Sequence, residues 1–263
     1  MKILFVLTTG LLSLVWAMPV RGEVDDTLVL CLSFDEGTGD VAHDSSPHGF
    51  DAKVSGATWV EGKFGKALRF DGADDFVSVG DAPELRLLNG GTIMAWIYLE
   101  GQGASVWPRI ICKELQTGSN GGYHMPIDWN RGRLLRFVID GGGGTSVGDP
   151  LEFKTWYHVA VAFDGEKVRF YTNGEKIEEV PQEKPTPDTQ AEMQIGNSPV
   201  GVRPFQGIID EVRIWSRALS DDEILEQMKI GTKQLIPVNP RAKLSTTWAE
   251  IKDIPVKPSR QAP

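Results

Sequence analysis

Asp210 stands among apolar neighbours in the run Gly207-Ile208-Ile209-Asp210-Glu211-Val212-Arg213-Ile214-Trp215. Side chains alternate faces along a strand, so strict alternation places Ile208, Asp210, Val212 and Ile214 together. Three of those four are β-branched and apolar, which predicts that their side of the strand is buried. A buried carboxylate costs free energy unless it is paired, hydrogen-bonded or bound to a metal. Carboxylate and carbonyl oxygens are hard ligands and suit Ca²⁺. The other reading is that Asp210 accepts hydrogen bonds from backbone amides, with Asp35 and Asp44 simply making turns.

A second group points to recognition of a sugar. Trp107, Tyr123, Trp129, Asn130 and Arg131 fall in the stretch 100–150, the least strand-like part of the chain. Aromatic rings offer flat apolar faces to sugar C–H groups, while Asn and Arg bond hydroxyls. The run Gly141-Gly142-Gly143-Gly144 permits close backbone approach to a ligand. A plainer reading makes Tyr123 and Met125 alternating strand residues and Trp129-Asn130-Arg131-Gly132 a turn with a packed indole. Trp59, Trp96, Trp156 and Trp215 are assigned to core packing.

Catalytic patterns are missing. His43, His48, His124 and His158 accompany no Gly-x-Ser-x-Gly elbow and no His-Glu-x-x-His spacing. His158 falls inside a strand and is expected to be hydrogen-bonded there. Asp74-Asp75 sits in a turn, Asp210-Glu211 on opposite faces of a strand, and Asp221-Asp222-Glu223 at a helix start. The reading is therefore a non-enzyme. Cys31 and Cys112 each lie in an apolar run, which leaves both a disulfide and two separate buried thiols open.

The elements that must position these residues are mostly strands. Lys2, the apolar run from Ile3 to Trp16 and the small residues after it read as a secretory signal peptide over 1–22, with cleavage after Gly22 favoured over Ala17. Export to an extracellular, periplasmic or cell-surface location is expected. Losing Lys2 and Arg21 takes the formal charge from −9 to −11, which argues against nucleic acid or an anionic membrane surface as partner. No other apolar run is long enough to enter a membrane.

The domain is expected over 24–231, followed by a Pro-rich extended or disordered tail, 232–263. Eleven short strands are predicted, among them Leu28–Phe34, Thr92–Leu99, Trp156–Phe163 and Gly207–Trp215. Asp164-Gly165 and Asn173-Gly174 mark two hairpin turns. One helix starts at Ser220, where Glu223 completes a capping box, and it ends near Gly231. The fold class is all-β, an antiparallel two-sheet jelly-roll sandwich with one short C-terminal helix.

Several motifs occur in a fixed order: Phe34-Asp35-Glu36-Gly37-Thr38-Gly39-Asp40, Asp44-Ser45-Ser46, Gly65-Lys66-Ala67-Leu68-Arg69-Phe70-Asp71-Gly72, Asp75-Phe76-Val77 and Ile209-Asp210-Glu211-Val212-Arg213-Ile214-Trp215. On them the chain resembles the laminin-G-like jelly-roll domains of secreted bacterial proteins, whose fold is concanavalin A-like. The resemblance implies a structural calcium joining the end of the first strand to the last long strand. Asp35, Glu36 and Gly37 would contribute largely through carbonyl oxygens, Asp210 through its side chain, and Asp44 as a further candidate. It also implies non-catalytic recognition of a glycan or glycoprotein surface. A protein–protein adhesion or structural module is the alternative, and a glycoside hydrolase the third. The Glu-x-Asp-x-x-Glu acids of related glucanases do not occur here.

Overall fold

The computed structural model describes residues 25–115, 121–140, 144–200 and 203–235. The expected signal peptide and the tail beyond 235 lie outside them. The strands are β1 (Leu28–Leu32), β2 (Val41–Ala42), β3 (Ala52–Ser55), β4 (Thr58–Glu61), β5 (Lys66–Asp71), β6 (Phe76–Gly80), β7 (Gly91–Leu99) and β8 (Arg109–Glu114). They continue with β9 (Gly122–Asp128), β10 (Leu134–Ile139), β11 (Thr145–Val147), β12 (Trp156–Phe163), β13 (Lys167–Thr172), β14 (Glu175–Pro181), β15 (Met193–Ile195) and β16 (Gln206–Trp215). Two helices close the described chain, α1 (Asp221–Met228) and α2 (Thr232–Leu235), so ordered structure passes the expected boundary at 231.

The strands form a sandwich of two eight-stranded antiparallel sheets. The first runs β14-β13-β12-β7-β16-β5-β4, with β1 also on β16, and the second runs β11-β10-β9-β8-β15-β6-β3-β2. Alternation of apolar side chains builds the core between them. Ile93, Ala95 and Ile97 of β7 and Val159 and Val161 of β12 meet Ile111, Met125, Ile127, Leu135 and Phe137 of the second sheet. The turn chemistry is as the residues require. Asn173 and Gly174 both take positive φ, 53° and 80°, between β13 and β14, the conformation that a tight two-residue hairpin needs.

A smaller apolar layer lies outside the first sheet. Met94, Ala160, Ala162, Tyr171 and Trp215 pack there with Leu219 and Ile224 around α1. The capping box is present, with Ser220 accepting from the Glu223 amide and Glu223 accepting from Ser220. Fully buried Arg213 holds the far end of the helix. It donates to the Gln227 and Ile230 carbonyls and pairs with buried Glu211 at 2.7 Å. Glu211 also accepts from the Thr232 amide.

One expectation is corrected, and two open readings are resolved. Strand β9 falls inside the stretch read as least strand-like, because Gly122 and Pro126 interrupt its composition. Pro126 is tolerated because β8 shifts register between Arg109 and Ile111, opposite it. The tryptophans assigned to core packing are Trp96 and Trp215, both buried, and Trp59 and Trp156, both half-buried. Trp215 is under the outer layer, Trp96 on the outer face of the first sheet, and half-buried Trp156 pairs there with Tyr98; only Trp59 touches the core between the sheets. Cys31 and Cys112 are free buried thiols in different sheets.

Candidate functional site

Strict alternation fails in β16. The strand bulges between Asp210 and Arg213, and Glu211 adopts φ 51°. Ile209, Val212 and Ile214 therefore face the core, while Asp210 points outward beside its cross-strand neighbour Trp96. The bulge lies where β16 changes partners: residues before it pair with β5, those after it with β1. The turn between β4 and β5 folds over this junction.

That turn is gripped by two acids. Asp210 Oδ2 accepts from the Lys63 and Phe64 amides at 2.8 and 3.0 Å, and Asp35 Oδ1 accepts from the Lys66 amide at 2.9 Å. A Cβ at Gly62 would lie 2.6 Å from Asp210 Oδ2, and one at Gly65 only 1.9 Å from Asp35 Oδ1. The acidic loop after β1 and the last long strand thus meet through backbone amides of one hairpin turn. Asp210 is completely buried, and its Oδ1 has no partner. Burial pushes its pKa up to about 8, against the pull of the two amides and with a further upward push from Glu211.

The other expected calcium ligands are differently engaged. Asp44 takes four donors: the Cys31 and Ser46 amides on Oδ1, and the Ser46 hydroxyl and Phe50 amide on Oδ2. A carboxylate saturated in this way ties β1 to its neighbouring loop and does not suit a cation. Asp35 Oδ2 lies 3.1 Å from Lys233 Nζ, and Glu36 accepts from the His43 amide while its Oε2 is buried without a partner. Gly37 adopts φ 70° against the Lys66 side chain. Of the five expected ligands, Asp210 and Glu36 keep a buried oxygen without a donor.

Among the described residues, one trio of carboxylates could hold a metal ion. Asp71, Asp74 and Asp75 each place an oxygen within 4.8 Å of the others. Asp75 is buried and held in the turn by the Asp71 amide at 2.7 Å, and desolvation raises its pKa. The sequence reading had given this turn no ligand role.

The outer face of the second sheet carries a polar array built by alternation. Tyr123, Met125 and Ile127 of β9 go into the core, which turns His124, Pro126 and Asp128 outward. Beside them stand Cys112 and Glu114 of β8 and Arg136 of β10. Glu114, buried, lies 2.8 Å from His124 Nδ1 and 3.3 Å from both Arg109 and the Ser198 hydroxyl. Burial alone would raise the Glu114 pKa, but His124 and Arg109 hold it down at about 2; burial lowers His124 to about 4. At neutral pH, Glu114 is ionised and a neutral His124 donates to it. Desolvation drives the Cys112 thiol up to about 12, so it is no nucleophile.

Toward the other end of the same face, Asp128 Oδ2 accepts from the Ser146 hydroxyl at 2.7 Å and from Arg136 at 3.3 Å, with Trp107 beside it. Asp128 is buried, yet its Oδ1 has no partner, and neither do Trp129 Nε1 and Arg109 Nε. Trp107 is 39% exposed, Trp129 half-buried against Phe153, and Asn130 and Arg131 exposed on the short 3-10 turn that follows β9. Four of the five predicted ligand residues therefore collect here. Tyr123 does not. It is fully buried in the core, and its hydroxyl donates to the Leu85 carbonyl at 2.7 Å. Asp128, Arg109 and Arg136 were missed, although the same alternation that buries Tyr123 signalled Asp128.

Two facing eight-stranded antiparallel sheets make a concanavalin A-like sandwich. The family model described as the concanavalin A-like lectin/glucanases superfamily, of the Laminin_G_3 type, matches residues 71–225, and the chain belongs to that family. No match is found among curated proteins. Solved structures share the fold. Domain 4 of a Geobacillus stearothermophilus GH43 extracellular arabinanase, in complex with arabinotriose, is 18% identical with a TM-score of 0.61, over 77% of this chain and 98% of that one. The binding domain of botulinum neurotoxin DC, in complex with rat synaptotagmin II, is 14% identical with a TM-score of 0.58, over 82% and 54%. A Trypanosoma rangeli sialidase in complex with the inhibitor DANA is 18% identical with a TM-score of 0.58, over 76% and 32%. The chain thus spans about half of the toxin domain and a third of the sialidase.

Proposed function

We propose that the protein is an exported, non-catalytic module that binds a glycan at the end of the second sheet's outer face. The observation that carries this reading is the pair of unpartnered buried atoms Asp128 Oδ1 and Arg109 Nε on the face edged by exposed Trp107. Buried polar atoms are nearly always hydrogen-bonded. A carbohydrate supplies both donors and acceptors to such a set, and an apolar face to the indole. The arabinotriose complex of the arabinanase domain supports the same reading. Exported location, inferred from the N-terminal residues, belongs to the proposal.

Binding to a glycan array, followed by titration of a selected oligosaccharide, tests it. Trp107→Ala should weaken binding about tenfold or more, as loss of a central aromatic anchor does, with circular dichroism unchanged. Binding unaffected by Trp107→Ala and by Asp128→Asn would reject the site. The second reading, recognition of a protein surface, is favoured by the toxin domain's complex with synaptotagmin II. An array without hits, together with capture of a protein partner lost in Trp107→Ala, would select it. A hydrolase is least supported, since a retaining or inverting glycosidase needs one carboxyl kept protonated as general acid. On this face Glu114 is held ionised and Asp128 is lowered.

A structural calcium ion completes the proposal. Asp210 Oδ1 is the oxygen best placed to ligate it, and Asp71, Asp74 and Asp75 form the alternative position. Calcium should raise the melting temperature and EGTA should reverse the rise. Asp210→Asn abolishes that response if the ion is at β16, and Asp74→Asn abolishes it if the ion is in the turn. A response kept in both variants would overturn the assignment.

A further inference from the structure

Among the described residues, the two sheets leave one flank partly uncovered. There β14 ends the first sheet and the three-residue β11 ends the second. Inward-facing side chains of β10 and β13 extend past this short cover, and a cavity of about 350 Å³ opens between the sheets. Its floor is apolar: Phe137, Val168 and Phe170 belong to the core, and Val180 packs at its border. Its mouth is charged, with Glu183 and Lys184 on the segment leaving β14. Among the described residues, Lys184 reaches the Asp140 carboxylate and carbonyl across the gap, at 3.5 and 3.4 Å, and its side chain is 48% exposed. That ion pair is long and wet, so another anion can take the lysine at little cost.

We propose that this flank is a second binding site, separate from the tryptophan face, for a linear monocarboxylate with an apolar chain. Apolar cavities stay dry and take up apolar ligands when large enough, and this volume sits at the lower end for small-molecule pockets. At roughly 30 Å³ for each heavy atom, the volume one water occupies in the liquid, it holds about a dozen. Decanoate has that size. Its chain lies along Phe137, Val168, Phe170 and Val180, and its carboxylate displaces Asp140 from Lys184.

The test is calorimetric titration of the full chain with decanoate, decanol and decyltrimethylammonium, all below their micellar concentrations. Decanoate is expected to bind about two- to fivefold tighter than decanol, the advantage a half-exposed ion pair gives, and the ammonium salt weakest. Lys184→Gln should erase the preference for decanoate while keeping decanol binding. Val168→Trp, which fills the cavity, should abolish all binding; Val180→Trp serves if Val168→Trp does not fold. Absence of decanoate binding, or binding that survives the filled cavity, would overturn the proposal. Trp107→Ala leaves decanoate binding unchanged, which separates this site from the glycan site.

Discussion

Asp210 illustrates how one carboxylate couples folding to protons. Its folded pKa is raised to about 8 from 3.8, mainly by burial. Between those values the folded state keeps a proton that the unfolded chain has released, so stability falls as pH rises through that window. The slope is about 1.4 kcal/mol per pH unit for one proton. In EGTA, urea midpoints should therefore drop between pH 5 and 8, and Asp210→Asn should flatten that drop. A slope kept in the asparagine variant would locate the coupled proton elsewhere. The Glu114–His124 pair acts in the acid range. Glu114 is depressed to about 2 from 4.5 and His124 to about 4 from 6.5. Each of these shifts contributes stability that disappears as pH falls, His124 first and Glu114 next. Glu114→Gln should shallow the acid limb below pH 4.5 and leave the alkaline side alone.

At the scale of elements, α1 is stapled to the outside of the first sheet at both ends. Ser220 caps its start, and Ser220→Ala should cost about 1 kcal/mol. Arg213 and Glu211 secure its far end from inside the bulge of β16. Arg213→Met would leave the Glu211 carboxylate buried without its cation, an arrangement that costs about 3–5 kcal/mol. Denaturant titration of both variants should reproduce that ranking, and an equal effect would mean the pair carries no special burden. The small side chains of Ala160 and Ala162 let the helix approach the sheet closely. His158, on the same face, was read as a satisfied sheet histidine, and its backbone is bonded, the amide donating to Asn173 Oδ1 at 3.0 Å. Its ring Nδ1 is unpartnered, the ring meets Trp96 edge-on at 5.5 Å, and burial lowers its pKa to about 3.

At the scale of the molecule, the sandwich separates its jobs by face. The inner faces form the core, the first sheet's outer face carries helix and bulge, and the second sheet's outer face carries the polar array. Both cysteines are fully buried, Cys31 in the layer under α1 and Cys112 beside Glu114, and desolvation raises their thiol pKa to about 11 and about 12. Neither thiol should react with Ellman's reagent in the native protein, and two thiols per chain should react after denaturation. Fast labelling of the native protein would contradict the burial. Among the described residues, no helix is long and apolar enough to cross a membrane.

Local chemistry was legible in the residues themselves: eleven strands from runs of strand composition between turn residues, hairpins from Asp164-Gly165 and Asn173-Gly174, and the Ser220 capping box. Each depends on neighbours a few positions apart, and their φ preferences, periodicity or hydrogen bonds need no distant partner. The ordered motifs also pointed to the fold. Tertiary structure decided the rest. The bulge at Asp210 reversed its face because β16 changes partner there, and the amides that reach it come from Lys63 and Phe64, far away in the chain. Asp44 was filled by donors from Cys31 and Phe50, and Tyr123 went to the core because β9 pairs with β8 despite Pro126. Glu114 meets Ser198 because β15 lies beside β8, and the cavity lies where the three-residue β11 and the seven-residue β14 end their sheets. These are long-range contacts, whose identity follows from register and sheet order and not from any local pattern.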